Sequence, residues 1–196
     1  MGFLESLAHI MDTPKKRYLA ALKWESAGAK YRKQTIKAYL AYLNGEIYEK
    51  AYKGRLHSHC SGTPYTMEEE INLHVARCYS ALAKAYEGEY DFDRAVDCLK
   101  RCIQLIPSIS TYYILLSLIY IKKNEIDTAI DFLKSTRNLP YYKPQKCISW
   151  PDEETFIDDD FYRSIECFIK EAVEKKTRGY VYRPRKKIIP GQRPNT

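Results

Sequence analysis

His57, His59 and Cys60 stand together in a stretch broken by Gly54, Ser58, Ser61, Gly62 and Pro64, and His74 and Cys78 follow, one helical turn apart. These are residue types that bind zinc, and a loop folded onto a helix can supply four such ligands. The spacing argues against it: there is no CxxC pair and no HxxxH pair, and the order fits no standard zinc module. Loop histidines beside a core cysteine account for the same residues, so no metal is assigned and no cofactor is expected. A second group, Asp152, Glu153, Glu154, Asp158, Asp159 and Asp160, has the charge for a divalent cation. It lacks the alternating spacing and the turn glycine of a calcium loop, and acids just before a helix are explained by the helix dipole. No nucleophile elbow, phosphate loop or dinucleotide glycine pattern occurs, so no catalytic residues are assigned and the chain is not expected to be an enzyme.

The third group is cationic. From Lys175 to Thr196 there are eight basic residues and no acidic ones, which leaves 24 basic against 25 acidic in the rest of a chain whose net charge is +7. The body is near neutral and the tail carries the basicity. There Tyr180 and Tyr182 interleave with Arg183, Arg185, Lys186 and Lys187, a pattern that suits salt-sensitive contact with nucleic acid, an anionic membrane or an acidic protein face. A solubilising or internally docked tail is the plainer explanation of the same residues.

The elements that would position these groups are set by a self-similar segment. Tyr79, Leu82, Tyr86, Ala95 and Leu99 recur 34 residues later as Tyr113, Leu116, Tyr120, Ala129 and Leu133. The sharpest echo is the run from Ala95 to Lys100 against that from Ala129 to Lys134. A period of this size marks a stacked helix-turn-helix unit. Ala83 with Ser117, and Ala95 with Ala129, supply small residues where two helices must approach closely. Tyr90-Asp91 and Asn124-Glu125 fall at the expected turns, where Asn124 tolerates a left-handed backbone. Pro107 and Pro140 close the two units.

These positions resemble the tetratricopeptide repeat family, in two repeats over about 76–140. The resemblance implies an all-α solenoid of helical hairpins and a non-catalytic role, as scaffold or adaptor, in binding a protein or peptide partner. It also implies a groove lined by first-helix residues that alternate with the packing positions, here Arg77, Ser80, Lys84, Thr111, Ile114, Leu118 and Ile121. A clamp for a peptide's terminal carboxylate relies on Lys, Asn and Arg at such places, whereas this chain has mainly Ser80, Thr111 and aliphatics. Ile114, Leu118 and Ile121 instead make an apolar surface, to be covered either by an amphipathic partner helix or by the chain's own C-terminal segment.

Around the repeats, Thr13-Pro14 reads as a helix start, and Ile36, Tyr39, Leu40, Leu43 and Ile47 give a second helical face to about Tyr52. Trp24, Ala27, Gly28 and Tyr31 repeat the first-helix spacing of the family without a matching second helix, so residues 1–52 read as a degenerate repeat or a plain helical hairpin. The tyrosines at 39, 42, 48 and 52 suit half-buried contacts between helices. Residues 53–65 read as a loop, Thr66 and Glu69 as the capping box of a helix from Met67 to Glu87, and 141–157 as an irregular linker. Phe161, Ile165, Phe168, Ile169 and Ala172 mark a capping helix over 158–178 that ends at Gly179, ahead of a basic, extended tail, 179–196.

Composition narrows the setting. No run is long enough to span a bilayer, the N-terminus lacks a cationic start followed by an apolar core, and six cysteines scattered over predicted helices suit reduced thiols. A cytoplasmic protein is expected. Gly2 and Ser6 fit an acylation pattern too short to weigh. The alternative to a groove-binding module is a nucleic-acid- or assembly-associated protein that uses its repeats as scaffold and its tail for contact.

Overall fold

The structure, a computed structural model, describes residues 14–44, 67–140 and 157–183. Among these there are seven α-helices and no strands: α1 (Pro14–Ser26), α2 (Arg32–Leu43), α3 (Met67–Gly88), α4 (Phe92–Leu105), α5 (Ser110–Lys122), α6 (Ile126–Ser135) and α7 (Asp159–Thr177). Each packs on the next in chain order, α1 on α2, α2 on α3, and so on to α7 on α6, with a lesser contact between α7 and α5. The result is a helical-hairpin solenoid. No described helix is long and apolar enough to cross a membrane.

The echoing residues are the ones that pack. Leu82, Ala83, Ala95, Leu99, Leu116, Ser117, Ala129 and Leu133 are all buried, so each hairpin closes on a small residue with large ones interlocked around it. Helix ends obey local chemistry. The Asp91 carboxylate accepts from the Arg94 N–H at 3.3 Å and Asp158 from the Phe161 N–H at 2.8 Å, capping the starts of α4 and α7. After α3, α5 and α7 the chain stops in one way. Tyr90, Asn124 and Gly179 all sit at φ 64°, and the amides of Asp91, Glu125 and Tyr180 reach back five residues to the carbonyls of Tyr86, Tyr120 and Lys175. This is the Schellman stop, which favours glycine and tolerates asparagine.

α7 buries Phe161, Ile165, Ile169 and Ala172. The first three join Tyr113, Leu133 and Ile157 in a cluster shared with α5 and α6. Beside this face the Glu166 carboxylate accepts two bonds from Arg137, at 2.7 and 2.8 Å.

At the N-terminus two expectations change. α1 ends at Ser26, and Gly28, at φ 87°, turns the chain into a short 3-10 segment, Ala29–Tyr31. Trp24, Ala27, Gly28 and Tyr31 are therefore not one helix face; their spacing spans a turn, across which the Trp24 and Tyr31 rings meet at 5.2 Å. Tyr39 and Tyr42 are also more deeply placed than half-buried, at 2% and 3% exposure, because both hydroxyls have hydrogen-bond partners. Tyr39 donates to the Glu25 carboxylate, and the Tyr42 hydroxyl lies 2.9 Å from His74 Nε2.

Candidate functional site

Helical spacing puts Arg77, Ser80 and Lys84 on one stripe of α3, and the 34-residue offset puts Thr111, Ile114 and Leu118 on the matching stripe of α5. Packing leaves these stripes at the surface. Lys84 is exposed and the other five are half-buried, while the residues between them, such as Leu82, Ala83, Leu116 and Ser117, are inside. The two stripes are tied at one end by an ion pair between Glu87 of α3 and Lys122 of α5. The α3 side is polar and cationic; the α5 side is aliphatic.

Two of the sequence-derived residues have a second role. Ile121 is only 6% exposed and belongs to the main core with Ile119 and Tyr120. Ile114 packs against the cluster that α7 completes through Phe161, Ile165 and Ile169. The chain's own helix thus flanks the aliphatic side of the surface.

Of the residues that suggested a metal, two are described. His74 and Cys78 are buried, with the Cys78 Sγ 3.9 Å from His74 Nε2, and the His74 ring is edge-on to Tyr18 at 4.7 Å and Tyr42 at 5.7 Å. His57, His59 and Cys60 lie outside the described residues. Among the described residues no cluster of three or more His, Cys, Asp or Glu could hold an ion. Burial also explains the thiols. It pushes Cys78 up to about 12 and Cys98 up to about 11, and it raises Cys102, whose Sγ contacts the Ala76 carbonyl at 3.2 Å. A thiol that resists ionisation is a packing group, not a nucleophile.

Of the basic tail, Arg183 is described and exposed, whereas Arg185, Lys186 and Lys187 lie outside the described residues, as do Asp152, Glu153 and Glu154. Sequence reasoning missed a contact here. Tyr182 returns to the α5–α6 turn, where its N–H donates to Asn124 Oδ1 at 2.5 Å and its carbonyl accepts from Asn124 Nδ2 at 3.4 Å. Its ring meets Phe92 edge-on at 6.0 Å. No local pattern could signal a pairing of residues 58 apart. Lys123 anchors the same edge, at 2.8 Å from both Asp93 and Glu125, and these two bonds raise its pKa.

The fold defines a class, the helical-repeat scaffold. Residues 76–109 and 110–135 match the tetratricopeptide repeat profile: the chain carries two adjacent tetratricopeptide repeats, formed by α3 with α4 and by α5 with α6. Among curated proteins none matches the chain. Among solved structures it is similar to the "TPR2B-domain:pHsp70-complex of yeast Sti1", at 16% identity and a TM-score of 0.48, over 83% of this chain and 97% of that one.

Proposed function

We propose that the chain is a protein-protein interaction module that receives a protein or peptide segment on the surface formed by α3 and α5. Arg77, Ser80 and Lys84 supply the polar side, and Thr111, Ile114 and Leu118 the apolar side, with Ile121 behind them as support. In this reading residues 66–140 are the interaction unit, 1–52 its N-terminal extension, 158–178 its cap and 179–196 a basic tail. The observation that supports it is the matched pair of stripes, at equivalent places in two repeats, that packing leaves half-buried or exposed. The mixed lining favours an amphipathic segment with an acidic side toward Lys84 and an apolar side toward Leu118.

The test is affinity capture with quantitative mass spectrometry, using the full chain and a Lys84→Glu, Leu118→Asp variant whose helicity and melting are checked first. Partners held by this surface should fall at least tenfold on the folded variant. Capture that is unchanged in it, and lost when residues 184–196 are deleted, refutes the surface and favours contact through the tail, with nucleic acid as the alternative partner.

A further inference from the structure

The hairpin of α1 and α2 repeats the burial of the hairpin that follows it, although its sequence does not. On α2 the buried residues Thr35, Tyr39 and Tyr42 stand 60 residues ahead of Ala95, Leu99 and Cys102, which are buried on α4. On α1 the fully buried Ala21 stands 61 ahead of Leu82, and Tyr18 stands 61 ahead of Tyr79. Neighbours recur as well. Tyr18 meets the Tyr42 ring of α2 at 5.2 Å and the His74 ring of α3 at 4.7 Å, while Tyr79 packs in a cluster with Cys102, Ile109 and Tyr112, from α4 and the start of α5. Large and small residues have changed places between the two hairpins. Ala21 stands for Leu82, whereas Tyr39 stands for Leu99 and Tyr42 for Cys102, an exchange that keeps the interior filled while erasing the sequence echo.

In this register α1 has an outward stripe of its own. Leu19 and Lys23 take the places of Ser80 and Lys84, and both are exposed, Leu19 by 47%. One row across three hairpins then reads Lys23, Lys84, Leu118, and the row beside it Leu19, Ser80, Ile114. Among the described residues neither Lys23 nor Lys84 takes part in an ion pair. The acids of their own helices are engaged or distant. Glu25 accepts from the Tyr39 hydroxyl and Glu87 pairs with Lys122, and the other acids of α3 lie in its first turn, ~20 Å along the axis from Lys84.

We infer that α1 and α2 form a third hairpin of the same kind, and that the α3–α5 surface continues onto α1 as a site for a protein segment that is acidic over α1 and α3 and apolar over α5. This site rests on the α3–α5 reading and adds Leu19 and Lys23 to it. Charge sets the occupant: two exposed ammonium groups on neighbouring hairpins, neither neutralised by a described acid, draw in carboxylates and repel cations. Nucleic acid is the poorer match, because the row ends on Leu118, which offers a phosphate backbone nothing.

A displayed library of random ten-residue peptides, panned on the full chain, provides the probe; enriched peptides are then synthesised with a fluorophore and titrated. Peptides carrying acids together with an apolar residue should be enriched. Their affinity should drop at least tenfold in Lys23→Glu and in Lys84→Glu, both checked for parental helicity and melting, and should rise again on Lys23→Glu when one peptide acid is exchanged for lysine. Such a rescue requires a folded protein and a direct contact. The inference is overturned, and the α3–α5 surface kept, if the Lys84→Glu, Leu118→Asp variant loses the peptides while Lys23→Glu and Lys23→Ala bind them as the parent does. Both fall if none of these variants weakens binding. The inference fails equally if no acidic peptides are enriched, or if a single-stranded oligonucleotide binds through Lys23 and Lys84 while the peptides do not.

Discussion

Alkaline pH should destabilise this protein through three particular thiols. Cys78 on α3 and Cys98 and Cys102 on α4 are buried in the hairpin of the first repeat. Against an ordinary value of 9.0, burial pushes Cys78 up to about 12 and Cys98 up to about 11, and Cys102 rises with them. Unfolding lets each thiol ionise at its ordinary value, so above pH 9 the unfolded chain holds fewer protons than the folded one, and stability falls as pH rises. At pH 10 an unfolded thiol is about one unit past its midpoint while a buried one is still protonated. That is ~1.4 kcal/mol for each, or ~4 kcal/mol for the three, a large part of the ~5–15 kcal/mol available to a domain. Urea unfolding under reducing conditions at pH 7.5 and pH 10 measures it, on the parent and on a Cys78→Ala, Cys98→Ala, Cys102→Ala variant. The variant starts lower because of its cavities, but its loss between the two pH values should be smaller by ~4 kcal/mol. Lys123, Tyr39 and the remaining cysteines are common to both proteins and cancel. Equal losses would mean that α3 and α4 do not face each other in the register the repeat dictates.

Four further outcomes follow from the same packing. Alkylation at neutral pH should modify exposed Cys167 well before Cys78, Cys98 or Cys102, as read by peptide mass mapping of a time course. Asn124→Ala removes both bonds to Tyr182 and puts a Cβ-restricted residue at φ 64°; it should cost ~1–2 kcal/mol and speed tryptic cleavage after Arg178. Leu133→Ala empties a fully buried position shared by α5, α6 and α7 and should cost ~2–5 kcal/mol by urea titration. Arg137→Ala, which breaks the exposed pair with Glu166, should cost under ~1 kcal/mol.

Interior periodicity was legible where the same environment recurs. The 34-residue echo located both hairpins, and the capping-box signature placed the start of α3 at Met67, with an end one residue from the observed Gly88. The capping helix was equally plain, since Asp158 begins it and Gly179 ends it. Periodicity failed at Trp24 to Tyr31 because it counts residues and cannot see that Gly28 turns the chain between them. It was also silent on contacts made across the stack. The Arg32 guanidinium donates to the Gly88 carbonyl at 3.1 Å, at the C-terminal end of α3, from a residue 56 positions earlier. The Asn124 to Tyr182 pairing is of the same kind.

What separates the two repeats is as informative as what they share. Tyr79 and Tyr113, Leu82 and Leu116, Ala95 and Ala129 are identical because each pair faces the same interior, where a change of one methylene is felt. Arg77 and Thr111, Ser80 and Ile114, Lys84 and Leu118, Tyr90 and Asn124 occupy equivalent places too, yet each pair differs in charge, polarity or shape. Packing does not demand these differences. For the stripes, part of the cause is α7, which packs against the flank of α5 next to Ile114. For Tyr90 and Asn124 the backbone is the same, at φ 64° in both, and the side-chain contacts differ: Asn124 holds the chain's own tail, while the Tyr90 ring meets Phe92 edge-on at 6.2 Å. A Tyr90→Asn, Asn124→Tyr double exchange tests this division. If the two positions were interchangeable stops, it would leave both stability and tail cleavage unchanged. If each residue serves its own neighbour, the exchange should release the tail at Tyr182 even though the first stop becomes easier to form, with a net loss of ~1 kcal/mol or more.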